Sequence, residues 1–301
     1  MKKLFSLASL LVLASLVLAA CGGGGSQAED LLGAINERGY ILVSTDPNYE
    51  PQSFLNTAGS RPADTKCPSD ALTTAEMQGF DVDVAIAIGD ALGVETCFAT
   101  PDWDLITAGS WADKWDLSVG SMTITTARQQ VLDFSTPYYY TPAMFAVRAD
   151  SGFTSLAELE GEAICVGSAT TYDQWLNGDI EGLGLPASSI YAQAPANVTV
   201  VPLPTDQECA QAIAAGRQDF VGYLTSETVI NANIAAGFPV VKLGSAVYSE
   251  DLAAAVDKGA SLSSASLLAE VSRIIDGLRA DGTLSELSNK WFGEDLTQTP
   301  N

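Results

Sequence analysis

Short apolar runs and helical stripes alternate along almost the whole chain, each closed by a glycine or turn residue, and this limits the possible folds more than any other feature. Leu31, Leu32 and Ile35 share one face of a helix that Gly39 stops. Tyr40-Ile-Leu-Val43 follows as a short buried strand that ends at Ser44-Thr45-Asp46. Val84, Ile88 and Leu92 then repeat every four residues up to Gly93. Asp116-Leu-Ser-Val119 reads as a strand, followed by a turn of small residues and a helix with Arg128 in its first turn. Ala163-Ile-Cys-Val166 and Asp219-Phe-Val-Gly-Tyr223 read as strands of a second unit, with a helix from Cys209 to a stop at Gly216 between them. Leu267, Val271, Ile274 and Leu278 form a last stripe, which Asp281-Gly282 breaks. Thr283-Leu-Ser-Glu286 then opens a helix as a capping box. Such alternation predicts an α/β fold of open sheets with helices on both faces. Ligands of such sheets bind beyond the carboxyl ends of the strands, where Asp46, Gly120 to Arg128 and Ser168 to Tyr172 all fall. Residues 57–78 read as an irregular insertion.

The first residues are an export signal. Met1-Lys-Lys3 is a positive n-region, and Leu4 to Ala20 is apolar apart from serines. Residues 1–20 are therefore read as a leader and 21–29 as a flexible tether, glycine-rich from Gly22 to Gly25. Cys21, directly after Leu18-Ala-Ala20, resembles the lipobox cysteine of bacterial lipoproteins, which implies an acylated N-terminus. The alternative is an ordinary leader with an incidental cysteine. No later run is long and apolar enough to span a bilayer. The formal net charge of −23 becomes more negative once the leader's two lysines are gone. Such acidity argues against nucleic acid and against anionic lipid heads as partners. With no histidine, the usual zinc sites and nucleophile–His triads are absent, and no metal or cofactor is expected. Cys67, Cys97, Cys165 and Cys209 are an even number in an exported chain, which reads as disulfides with three possible pairings. Free buried cysteines are the alternative.

Arg128 is the candidate site residue. A cation in the first turn of a helix opposes the dipole by about 0.3–1 kcal/mol, so its place there is best explained by an anion in front of it. Backbone N–H groups and a guanidinium fork together suit a carboxylate or phosphate. A surface arginine paired with Asp133 is the plainer reading.

Five blocks, in order, resemble the bacterial extracellular solute-binding proteins of the polar amino-acid type, family 3, which feed ABC importers. They are Thr45-Asp-Pro-Asn-Tyr-Glu-Pro51 and Gly79-Phe-Asp-Val-Asp-Val-Ala85. Trp103-Asp-Leu-Ile106 leads to Gly120-Ser-Met-Thr-Ile-Thr-Thr-Ala-Arg128 with Val131-Leu-Asp-Phe-Ser-Thr-Pro-Tyr138. Gly167-Ser-Ala-Thr-Thr-Tyr172 comes next, and Ala280-Asp-Gly-Thr283 with Lys290-Trp-Phe-Gly293 comes last. The resemblance implies a two-lobed periplasmic-binding-protein fold, two open sheets joined by a double-crossover hinge, with closure around a ligand. Lobe 1 is then residues 30–143 and 250–298, and lobe 2 residues 144–249. The crossings fall near Tyr140–Val147 and Tyr248–Val256. Cys67–Cys97 and Cys165–Cys209 are the pairings that stay within a lobe.

The same resemblance assigns roles. Arg128 matches the arginine that clamps the ligand's α-carboxylate, for which a two-donor fork fits. Gly120 and Thr123 match positions that meet the α-ammonium, with Ser121 beside them. Asp46 and Tyr49 match the first ligand-facing loop, and Trp103 an aromatic against the ligand, with core packing as its alternative. Gly167, Thr170 and Thr171 belong to a second helix opening from the other lobe, a capping box on the plainer reading. Tyr138-Tyr-Tyr140 is read as packing near the hinge. One departure stands out. The family's ammonium-binding aspartate falls about five residues after Asp219, and Leu224 stands there. Asp46, Glu227 or a shifted loop is then the counter-charge, unless the ligand is a small carboxylate without an ammonium.

The expected function is a monomeric, lipid-anchored binding protein outside the cytoplasmic membrane. It would hand a small polar solute, an amino acid first of all, to an ABC permease. A non-amino-acid carboxylate, a solute sensor and an extracytoplasmic dehydratase are the alternatives. The dehydratase would need Glu50, Asp104 or Asp173 as its acid or base.

Overall fold

The computed structural model describes residues 28–299. The leader, Cys21 and nearly all of the proposed tether lie outside the described residues. Nine strands form one continuous ladder, in the order Thr199–Leu203, Ala163–Gly167, Gly222–Ser226, Leu132–Arg148, Val240–Asp257, Leu117–Thr123, Tyr40–Ser44, Glu95–Ala99 and Leu72–Thr73. The first three are mutually parallel, as are Leu117–Thr123, Tyr40–Ser44 and Glu95–Ala99. Between these two open sheets run Leu132–Arg148 and Val240–Asp257, antiparallel to each other and to their neighbours. These two long strands are the double crossover. They join the open sheets edge to edge, and the return strand breaks register between Leu243 and Tyr248 and again near Ala253.

Helices cover both halves. Leu31–Arg38, Phe80–Leu92, Ala265–Ala280 and Thr283–Phe292 bury Ile35, Val84, Ile88, Val271 and Leu284 against Ile41, Val43 and Val119 of the first half. Gly39 and Gly93 end their helices in the left-handed conformation, at φ 77° and 74°. In the second half, Trp175 and Leu183 pack on Phe145, Val166 and Tyr248, and Ile213 and Ile230 pack on the opposite sheet face. Cys67–Cys97 and Cys165–Cys209 are both bridged. The first ties down the insertion, where the Arg61 guanidinium also donates to the carbonyls of Cys67, Pro68 and Ala71 at 2.6–2.8 Å.

Four local expectations are corrected. The strand expected to stop at Val119 runs on to Thr123, because Met122 and Thr123 are buried and pair with Ala253 and Leu252 of the crossing strand. Arg128 stands in a three-residue 3-10 turn, Arg128–Gln130, not in an α-helix. No macrodipole of consequence acts there, so that reason for expecting an anion falls away. The strand expected at 219–223 is Gly222–Ser226, since its partner is Ala143–Val147 and Phe220 turns into the core. The capping box at Thr283 is absent. The N-cap is Gly282, and the Thr283 N–H is met by the Asp281 carboxylate at 3.0 Å.

Candidate functional site

The carboxyl ends of the strands from both halves converge on one enclosed pocket. Asp46, Tyr49, Trp103, Gly120, Ser121 and Thr123 line it from one side, and Thr170, Thr171 and Tyr172 from the other. Arg128 lies between them, 4% exposed. Its Nη1 donates to the Thr123 carbonyl at 3.0 Å and its Nη2 to the Ala169 carbonyl at 3.1 Å. The Trp103 ring lies 5.5 Å from the guanidinium carbon. Burial pulls its pKa down to about 10, so it keeps its charge at neutral pH. Among the described residues it belongs to no ion pair, and Asp133, its expected surface partner, pairs with Lys258 instead. A buried, permanently charged fork that meets only neutral carbonyls is short of an anion.

The backbone beside Arg128 is firmly set. Ser121 adopts φ 54°, a conformation side chains rarely take. Its N–H donates to the Tyr138 hydroxyl at 2.8 Å, and its own hydroxyl donates to Asp81 at 2.7 Å. Tyr138 in turn donates to Asp81 at 2.8 Å, so one buried carboxylate holds the turn from below. Ser121 therefore faces the pocket with backbone only. Tyr138 and Tyr139 are fully buried and serve as packing, as expected.

Two of the sequence-derived residues are not in the pocket. Leu224 is fully buried in the apolar cluster of Phe145 and Trp175, because strand alternation turns it away from the cleft. Gly167 lies behind the pocket wall, where its N–H donates to Asp206 at 2.5 Å. Glu227, a suggested counter-charge, is occupied on the outside by Lys242. Glu50 and Asp104 are exposed, and neither they nor Asp173 lines this pocket.

The acids that do reach it are Asp46, Asp206 and Glu250, of which the sequence reading offered only the first. Asp206 opens the helix Asp206–Ala214 behind its cap Thr205, and accepts from Gly167 and from the Thr225 hydroxyl at 3.2 Å. Glu250 lies on the return crossing strand and is 1% exposed. It accepts from the hydroxyls of Thr123 and Thr171 at 2.6 Å each and of Tyr172 at 2.8 Å, so it links the two walls. Thr170 donates to the Gly167 carbonyl and caps the helix Thr171–Leu176, which makes its hydroxyl structural. The signal for Asp206 was weak, since an acid in a first helical turn is ordinary. Glu250 carried a better one, as a carboxylate heading the apolar run Leu252 to Val256.

Further bonds close the walls upon each other. Asn48 donates to Thr205 at 3.1 Å and Gln52 to Thr228 at 2.5 Å, while the N–H groups of Thr126 and Ala127 meet the carbonyls of Leu183 and Gly182.

The family pattern of the bacterial extracellular solute-binding proteins, family 3, matches residues 41–294. The chain belongs to this family. It is thus an extracellular solute-binding protein with the two-lobed fold. Among such proteins it is 27% identical to the L-cystine-binding protein of Escherichia coli K12 over 274 residues, 90% of this chain and 89% of that one. The ABC transporter glutamine-binding protein of Bacillus subtilis 168 is 28% identical over 309 residues, covering 98% and 99%. A solved structure, the ancestral amino acid-binding protein AncCDT-1, a precursor of cyclohexadienyl dehydratase, superposes with a TM-score of 0.68 at 26% identity, over 87% of this chain and 99% of that one. Among the described residues no helix is long and apolar enough to cross a membrane.

Burial also sets how this solute-binding protein responds to pH. It raises Asp46 to about 6, Asp81 to about 7 and Asp206 to about 8, each from 3.8. Their folded values lie above the unfolded one, so the native state binds more protons between these limits. The stability they contribute is complete below about pH 4 and is lost progressively as pH rises to each folded value, Asp46 finishing near 6, Asp81 near 7 and Asp206 near 8. The ligand-free protein is expected to have a lower melting midpoint at pH 8 than at pH 5.5. A midpoint that rises across that interval would contradict the burial of these acids.

Proposed function

We propose that this protein captures an α-amino acid between lobe 1, residues 30–143 and 250–298, and lobe 2, residues 144–249, and delivers it to an ABC permease. One observation carries the ligand class. A buried guanidinium without an anion shares an enclosed pocket with carboxylates that lack a cation. A zwitterion supplies both. The α-carboxylate takes the free donors of Arg128, and the α-ammonium takes Glu250 or Asp206, which stand in for the acid missing at Leu224. Trp103 covers the ligand and Tyr49 borders it, while Gly120 offers its carbonyl and Thr123 orients Glu250. Closure then depends on ligand, because both walls contribute. A screen of the common amino acids by thermal shift tests this, since a ligand at a hundred times its dissociation constant adds about 2.7 kcal/mol.

The likeness to the dehydratase precursor favours an enzyme as the second reading, with Asp46, Asp206 or Glu250 as its acid or base in place of the three acids first considered. Formation of product on prolonged incubation with amino or keto acids would decide for it.

The lipobox-like end at Cys21 supports anchoring by acyl chains, with a monomer held on the outer face of the cytoplasmic membrane. Cys21→Ser should move the protein from the membrane pellet to the soluble fraction. Pelleting of that variant after a salt wash would rule out the anchor.

A further inference from the structure

The charge around the pocket is unbalanced. Among the described residues Arg128 is the only cationic one lining it, against the acids Asp46, Asp206 and Glu250, and with Asp206 held protonated by burial near neutral pH the other two still outnumber it. A neutral amino acid adds one carboxylate and one ammonium, so it leaves that excess unchanged. The pocket also continues outward. A second cavity shares Asp46, Trp103, Pro204 and Thr205 with the first and adds Asp102, Asp104 and Glu208, with no lysine or arginine among the described residues that line it. Trp103 and Asp46 thus stand where the inner pocket passes into an acidic channel. Among the described residues Asp46 keeps one carboxylate oxygen without a hydrogen-bond partner, its other oxygen taking the Asn48 N–H at 2.8 Å. The buried indole Nε1 of Trp103 has none either. Arg128, buried and without an anion at the inner end, fixes which end of a ligand enters first.

We infer that the cognate solute is an amino acid whose side chain ends in a cation, with its carboxylate on Arg128 and its tail running past Trp103 to Asp46 and the acidic channel. This rests on the proposed reading of the site as an amino-acid pocket. A polyamine lacks the carboxylate that Arg128 needs, and an acidic amino acid would bring a second anion among four carboxylates. The cation on the tail gains Asp46 directly, and Asp102, Asp104 and Glu208 draw it in from solution.

Calorimetry with matched pairs tests it, arginine against citrulline and lysine against norleucine, each pair alike in shape and different in tail charge. The cationic member is expected to bind on the order of a hundredfold more tightly. Asp46→Asn should erase most of that preference, bringing the affinity ratio within each pair close to one. Equal affinity within both pairs, or tighter binding of citrulline or glutamine than of arginine and lysine, overturns the inference and leaves the amino-acid pocket standing. Failure of every amino acid to bind overturns both.

Discussion

Arg128→Ala is expected to leave the protein folded and to remove ligand binding almost entirely. Among the described residues the side chain donates to just two groups, the carbonyls of Thr123 and Ala169, and it packs in none of the apolar core clusters. What it offers a ligand is far larger. Its free donors lie in the pocket, and among the described residues its charge faces no anion at bonding distance. Losing a charge-assisted, two-donor contact from such a site costs about 2–5 kcal/mol, or roughly thirty- to several-thousand-fold in affinity. Arg128→Lys should recover only part of this, because an ammonium on a flexible stem cannot present two parallel donors. Unchanged affinity in Arg128→Ala, measured by calorimetry, would remove the site from this pocket.

Loss of the Cys165–Cys209 bridge is expected to have the second-largest effect, on stability. The bridge spans 44 residues and joins the strand Ala163–Gly167 to the helix Asp206–Ala214. Closing a loop of that length restricts the unfolded chain, and removing a native bridge typically costs about 2–5 kcal/mol. Both cysteines are fully buried among Ala210, Ile213 and Tyr223, so the double alanine variant also leaves small voids. The same helix carries Asp206 into the pocket, which couples this bridge to the geometry of the site. Denaturant unfolding of the double variant should therefore show a large fall in midpoint, and a loss under 1 kcal/mol would contradict the account. The bridge from Cys67 to Cys97 closes the shorter span of 30 residues at the edge of the first half, away from the pocket.

Much of this was legible in the chain itself. The alternation of Tyr40–Val43, the stripe Val84, Ile88 and Leu92, and the later units gave an α/β fold. The motif blocks placed Asp46, Trp103, Gly120, Thr123 and Arg128 together, and they do line one pocket. The arginine was found for a partly wrong reason, since it stands in a 3-10 turn and its burial, not a helix dipole, leaves its charge wanting. What the residues could not disclose is pairing at a distance. Glu250 meets Thr123 across 127 positions and Thr171 across 79, through a crossing strand whose register breaks on both sides of it. The absence of an acid at Leu224 was visible, but its replacement was not, because Asp206 reads as any acid in a first helical turn. Only the fold shows that Gly167 and Thr225 hold it at the pocket.

The central claim is that one ligand satisfies Arg128 and the facing acids at once. Calorimetry of the best amino acid from the screen, beside the amine that lacks its carboxylate and the acid that lacks its amino group, tests this most directly. The account predicts that the intact amino acid binds and that each truncated compound is weakened on the order of a hundredfold or more, since each leaves a buried charge unpaired. Binding of either truncated compound as tightly as the amino acid itself would contradict it.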